Sequence, residues 1–296
     1  MKCFLQIKLK ALVSQIKMMS NNLTYYLVSL STFYVLMEIL TQYLSKNYKK
    51  IYLYKNVRVW SKLEHISKNL ESLIKAPKFM NWIDKIIEAG EFKITAFEVT
   101  DMDFFGPPTP EKLAFYKGKL EATNKKGVKV ASNICNNRGG CTAILIVVTA
   151  KIKTQYKKLV AMVEQDRLPS GGQRIECVAG MKDLVTGSVK GPIVQEILQE
   201  LPIDDIKEDD SRIFSLGKIW PSPGWSDEEI DLWAGEFDID EEKYNYLKAG
   251  TFGEGAHEVI KVHFYDYDSF PEVLQKIGDV KSECAFWRFK RLKGEV

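Results

Sequence analysis

The sequence is poor in the residues that build disulfide frameworks and zinc sites. Five cysteines, Cys3, Cys135, Cys141, Cys177 and Cys284, are spread over 296 residues without a CxxC pair. The three histidines, His65, His257 and His263, stand far apart. An odd number of scattered cysteines argues against a disulfide scaffold, and neither residue type has the spacing of a metal knuckle. The default is a reducing compartment, or thiols that stay buried. Acid is missing from the N-terminal fifth: residues 1–63 contain Glu38 alone, against ten Lys and Arg. The whole chain nevertheless carries a formal charge of only +3, too mild to argue for nucleic acid as a partner. Hydrophobic content of 45% and charged content of 27% are those of a folded domain with a sizeable core.

A basic, acid-free start suggests a targeting or membrane-contacting segment. Residues 1–22 read as a basic leader, similar to a mitochondrial presequence although without arginine. Residues 23–44, LTYYLVSLSTFYVLMEILTQYL, are long enough to span a bilayer, with tyrosines near the ends and Lys46, Lys49 and Lys50 following. Glu38 and Gln42 oppose insertion; a central acid costs about 2.5–3.5 kcal/mol. A spanning or anchoring helix, a helix packed on a partner protein, and a cleaved leader all remain open. Residues 45–77 read as an amphipathic helical tether with Leu63, Ile66, Leu70, Leu73 and Ile74 as its apolar stripe.

Beyond Pro77 the pattern turns to strands. FKITAFEVTDMDFF (92–105) alternates, GPPTP (106–110) is a turn, and residues 113–132 read as a hairpin around Asn124–Gly127. Thr142 to Ala150 is a continuous apolar run, as a sheet buried on both faces requires. Further strands are expected at 159–164, 174–178, 213–220, 229–237 and 259–267, with a helix from Phe270.

The richest segment is AGMKDLVTGSVKGPIVQEILQELPI (179–203). Glu196 and Glu200 lie at i and i+4 on one helix face, while Ile193, Val194, Ile197, Leu198 and Leu201 form an apolar stripe. Paired carboxylates on a helix held by a core can grip a hard divalent cation; the plainer alternative is a solvated helix face. The segment resembles the box of the Nudix hydrolases, which cleave nucleoside diphosphates linked to another group. Gly180 stands for its leading glycine, and Gln195-Glu196-Ile197-Leu198-Gln199-Glu200-Leu201-Pro202-Ile203 for its helix. Three positions depart: Gln195 replaces an arginine, Gln199 a glutamate, and Pro202 a glycine. Upstream, RGGCTAILIVV (138–148) and KLVAMVEQDRLPSGGQRIECVAGM (158–181), and downstream, IWPSPGWSDEEIDLW (219–233) and HEVIKVHFY (257–265), resemble segments of the plant-type ADP-sugar diphosphatases and ADP-ribose pyrophosphatases in the same order.

The resemblance implies an α/β fold: a Nudix α/β/α sandwich with a mixed sheet over residues 138–292. A small β-rich subdomain at 78–137 and the hydrophobic N-terminal helix would precede it. It implies Mg2+ held by Glu196, Glu200, Glu258 and the carbonyl of Ala179, with Glu200 and Glu258 catalytic; Glu254 is a neighbour in the same loop. Arg167, Arg174, Ser222, Gly224 and Glu228 would meet a nucleoside diphosphate sugar, the arginines engaging diphosphate oxygens through their paired donors. Trp220 and Trp225 suit either stacking on a base or core packing. A homodimer built through the β-rich subdomain is implied, beside the simpler reading of a hairpin that serves its own chain.

Two functions from different classes follow. One is a Mg2+-dependent hydrolase of ADP-ribose or ADP-sugar linkages. The other is a catalytically silent accessory subunit of a mitochondrial membrane complex, favoured by the altered box and the hydrophobic segment; a nucleotide sensor without turnover combines them. The expected location is mitochondrial and membrane-associated, otherwise cytoplasmic.

Overall fold

The computed structural model describes residues 50–131, 133–182, 197, 200–203, 206, 210–253 and 259–296. The leader at 1–22, the hydrophobic segment at 23–44, and Glu196, Glu254 and Glu258 lie outside the described residues. Among the described residues no helix is long and apolar enough to cross a membrane.

Two mixed sheets form. The first has the order β1-β2-β3-β4-β5, from β1 (Tyr52–Tyr54), β2 (Val57–Trp60), β3 (Phe92–Phe104), β4 (Leu113–Asn124) and β5 (Ile134–Asn137). Three helices, α1 (Glu64–Ser67), α2 (Leu70–Lys75) and α3 (Pro77–Ala89), are inserted between β2 and β3. Residues 52–60 differ from the helical tether expected at 45–77. Lys55 and Asn56 have φ of 45° and 68°, so the chain reverses in two residues and β1 pairs antiparallel with β2. Val57 and Val59 then point inward with a period of two, while Arg58 is exposed. Ile66, Leu70 and Leu73 are buried as the stripe implied, but against this sheet. The segment is thus part of a core, centred on Phe79, Phe97 and Tyr116 with Trp82 against them, ring centroids lying 5.3–6.4 Å apart.

Helix α3 is a second difference, since the sequence reading placed no helix there. Pro77 occupies its first turn, where a missing N–H costs nothing, and Gly90 closes it in the left-handed conformation with φ 64°. The turn at Asn124–Gly127 does form, with Asn124 Oδ1 accepting from the N–H groups of Lys126 and Val128. Beyond it the bridge Thr123 to Lys129 and the Val130 N–H to Ala122 carbonyl bond continue the hairpin, which leads into β5 antiparallel to β4; the longer partner of β4 is β3.

The second sheet has the order β10-β11-β6-β7-β13-β12, with β8 on β7 and β9 on β6. Its strands are β6 (Cys141–Ile152), β7 (Gln155–Arg167), β8 (Gly172–Glu176), β9 (Val178–Met181), β10 (Ile213–Ile219), β11 (Ile230–Ile239), β12 (Thr251–Phe252) and β13 (Ile260–Asp266). Strand β11 runs parallel to β6; the other pairings are antiparallel. Along β6, Ile144, Ile146, Val148 and Ala150 enter one core, and Ala143, Leu145 and Val147 enter another on the opposite face. Helix α4 (Glu241–Ala249) and the turn holding Ile197 and Leu201 cover the first face; α5 (Phe270–Ile277) and α6 (Val280–Leu292) cover the second. The acidic run at 238–244 is explained by α4: Asp240 Oδ1 accepts from Lys243 N at 2.8 Å, and Glu241 and Glu242 face the positive end of the helix dipole.

The two sheets are joined by acids at 227–229. Asp227 Oδ1 accepts from the N–H groups of Arg138 and Gly139, at 3.0 and 3.2 Å. Gly139 has φ 86°, and a Cβ at Gly140 would come within 2.9 Å of the Glu229 carbonyl, so glycine is required at both positions. Glu229 collects Lys85 of α3 at 2.7 Å, Lys218 at 2.8 Å and Lys182 at 3.3 Å. Burial opposes its ionisation, but hydrogen bonds from Lys218 and Lys85, with the charges of Lys85 and Lys182, overcome that and hold its pKa at about 2 against the usual 4.5. A depressed carboxylate stabilises above its unfolded value and loses that contribution as pH falls through the folded one. Glu229→Gln is therefore expected to cost roughly 1–2 kcal/mol at neutral pH. Thermal melts should show the gap to wild type closing as pH falls from 4.5 toward 2.

Candidate functional site

A cleft of about 650 Å³ opens where β6, β9 and β11 begin or end and α6 starts. It brings together residues that are distant in sequence: Arg138 before β6, Arg167 at the end of β7, Ala179 and Gly180 on β9, Glu228 before β11, and Lys281 in the first turn of α6. Parallel pairing places Ile230 opposite Cys141, so the segments preceding both strands leave the sheet at the same end.

Arg167 donates from Nε to Glu176 Oε1 at 2.6 Å. Glu176 is 6% exposed, and its other oxygen accepts from Lys281 Nζ at 2.5 Å. Lys281 also pairs with Asp279 at 3.1 Å. Asp279 caps α6, accepting from Ser282 N and from Ser282 Oγ, and that hydroxyl in turn accepts from Cys177 N at 3.0 Å. Burial alone would lower the pKa of Lys281; Cys177, Asp279 and Glu176 overcome it and hold the ammonium well above its usual range. The lysine is therefore a permanent cation at neutral pH. Burial, then the neighbouring Glu228 carboxylate, pushes the Cys141 thiol up to about 12, so it stays protonated and is not a nucleophile.

Glu228 pairs with Arg138 Nη1 at 3.5 Å on the opposite wall. The cleft thus carries three cations, Arg138, Arg167 and Lys281, interleaved with carboxylates. Arg167 spends only Nε on Glu176, and the guanidinium fork has further donors on its terminal nitrogens. Such a wall suits a multiply charged anion.

Not every expected residue reaches the cleft. Arg174 is exposed and holds its own turn, donating to Ser170 Oγ at 2.9 Å and to the Ser170 carbonyl at 2.6 Å. Ser222 is exposed; its carbonyl accepts from Trp225 and Ser226 N–H groups to form a turn. Gly224 borders a different hollow. Ser222 and Gly224 were placed by the loop motif and Arg174, on β8, by its position before the box, where a surface role was the alternative; Pro221 is the member of the loop motif that lines the cleft. Glu200 does not line it either. It is 3% exposed, in a turn where Leu201 N donates to the Ile197 carbonyl, against the first core face. The solvated-face alternative is therefore excluded for Glu200. Thr142 and Gln165, which share strand parity with Ile144 and Val163, are likewise buried, so polar groups gather at this end of that face.

Among the described residues no group of three or more His, Cys, Asp or Glu could hold a metal ion. The acids assigned to the metal are oxygen donors with no thiolate or imidazole, a set that fits a hard cation. Sequence reasoning missed Arg138, Glu176, Asp279 and Lys281. Glu176, an isolated acid between Ile175 and Cys177 in a strand, carried a faint signal. Lys281 carried none, since it reaches Glu176 across a separation of 105 residues.

No family model matches the chain. A curated relative, Nudix hydrolase 14, chloroplastic, from Arabidopsis thaliana, is 28% identical over 228 residues, which cover 73% of this chain and 70% of the relative. A crystal structure of an ADP compounds hydrolase aligns over 69% of this chain and 97% of its own, with a TM-score of 0.43 and 11% identity. The chain is similar to the Nudix hydrolase superfamily along most of its length.

The buried Arg167–Glu176–Lys281 chain makes a direct prediction. Lys281→Met leaves Glu176 with half its charge compensation and should cost roughly 3 kcal/mol. Urea unfolding at neutral pH would read this as a lower midpoint with an unchanged slope.

Proposed function

We propose, from the premise that the chain resembles the Nudix hydrolases, that it is a Mg2+-dependent diphosphatase acting on ADP-ribose or an ADP-sugar. The carrying observation is the convergence of Arg138, Arg167 and Lys281 with Glu228 and the Ala179–Gly180 strand in one cleft. A diphosphate needs charge neutralisation on its oxygens and a positioned water. Bound Mg2+ would supply Lewis acidity and an activated water; the motif assigns it to Glu196, Glu200, Glu258 and the Ala179 carbonyl, of which Ala179 lines the cleft.

The chain's own residues bind and orient. Arg167 and Lys281 stand as a fixed cationic pair, spaced by Glu176, to take diphosphate oxygens. Arg138 closes the other wall, and Glu228 beside it offers an acceptor for a ribose hydroxyl. Their positions are set by strand ends and a capped helix, so little reorganisation is needed on binding. The basic leader at 1–22 is read as an organellar address.

The test uses the full chain with ADP-ribose and ADP-glucose in Mg2+. Turnover is expected, and Glu200→Gln should lower kcat by roughly 10²-fold or more. Arg167→Ala should raise KM more than it lowers kcat. Absence of both turnover and Mg2+-dependent nucleotide binding would leave the accessory-subunit reading, whose support is Gln195 and Gln199 in the box.

A further inference from the structure

The corner between α5 and α6 reaches the cleft from far downstream of every strand that builds it. Gly278 closes α5 in the left-handed conformation with φ 65°, and Asp279 caps α6 immediately after it. Phe270 and Leu274 of α5 and Ala285, Phe286 and Phe289 of α6 are buried in the second core, so packed helices carry the corner. Asp279, Val280 and Lys281 line the cleft, and Ser282, next in the chain, is fully buried.

What the corner holds is the joint between two strands. Strand β8 pairs with β7 as far as Glu176, and β9 pairs with β6 from Val178. Cys177 is the residue at which the chain passes from one partner to the other, and it belongs to neither ladder. A buried backbone N–H outside a ladder needs another acceptor. Ser282 Oγ supplies it at 3.0 Å, across a separation of 105 residues. The same hydroxyl donates to Asp279 Oδ2 at 2.5 Å, which turns its lone pairs toward Cys177. An alanine would fill the space nearly as well; what it lacks is the acceptor.

The residues on either side of this joint are those that the cleft uses. One position before it, Glu176 holds Arg167 and Lys281. Two and three positions after it, Ala179 and Gly180 line the cleft. No ladder bond fixes the chain at Cys177 itself, so the bond to Ser282 governs how one group is set against the other. Misplacing a group at a reacting centre by about 1 Å can cost about 10²-fold in rate.

We propose that Ser282, oriented by Asp279, is a positioning residue for the cleft: it sets the Ala179–Gly180 strand against the cations that Glu176 holds. The proposal rests on the diphosphatase reading for what the cleft does, but not for how the strand is placed.

The test compares the full chain with Ser282→Ala and with Phe286→Leu, a core substitution on the same helix whose ring packs on Tyr267 and Phe270. Amide hydrogen exchange read by mass spectrometry should quicken roughly tenfold or more over Val178–Met181 in Ser282→Ala. Exchange over Ile230–Ile239, the other neighbour of β6, should stay as in wild type. In Phe286→Leu the two segments should move together, although its thermal midpoint falls at least as far. With ADP-ribose and Mg2+, Ser282→Ala should lower kcat roughly tenfold. Its KM should stay within about twofold of wild type, the reverse of Arg167→Ala. Three results would each overturn the proposal: unchanged exchange over Val178–Met181 in Ser282→Ala, equal quickening of both segments in that variant, or selective quickening with wild-type kcat. If the wild-type chain turns over no nucleotide, exchange alone decides the placement of the strand, and it is the diphosphatase reading that falls.

Discussion

Parallel pairing of β11 with β6 is the constraint on which the site depends. In an antiparallel sheet neighbouring strands begin at opposite ends. Here Ile230 lies opposite Cys141, so residues 138–140 and 227–229 emerge side by side. Three consecutive acids are then used in three ways. Asp227 binds backbone N–H groups, Glu228 faces the cleft beside Arg138, and Glu229 gathers lysines from α3, from β10 and from the residue after β9. The stretch carries high negative charge density, and its stability follows from distributing that charge over separate donors rather than exposing it to self-repulsion.

The same end of the sheet explains why the cleft is polar although the sheet is not. Strand β6 is buried on both faces from Cys141 to Val148, and only where strands end can charged groups reach water. The C-terminal helices add what the strands lack: Lys281 arrives at the start of α6, where Asp279 caps the helix and at the same time holds the lysine.

Much of this was legible in the sequence where a rule has a single outcome. The continuous apolar run at 142–150 reads as a strand buried on both faces and forms one, and the strands expected on either side of the 220–227 loop are β10 and β11. Arg167, Ala179 and Glu228, expected from the order of the motifs, line one cleft. The hairpin at 52–60 was misread because Tyr, Leu and Val fit a short helix as well as a short strand, and the turn at Lys55–Asn56 lacks glycine. Arg174 and Ser222 have the right chemistry for a ligand, but backbone turns claim them first. Glu176 and Lys281 escaped because their pairing is tertiary: no local pattern couples a strand acid to a helix lysine so far downstream.

Glu176 gives the cleft a resident anion. It occupies the facing sides of Arg167 and Lys281 before any ligand arrives. An anion entering the cleft therefore shares cations that are already half neutralised, instead of falling into bare positive charge. The attraction is gentler, and so is the grip on whatever must leave. A pocket lined this way trades tight capture for ready exchange, its fixed carboxylate tempering the pull of both cations.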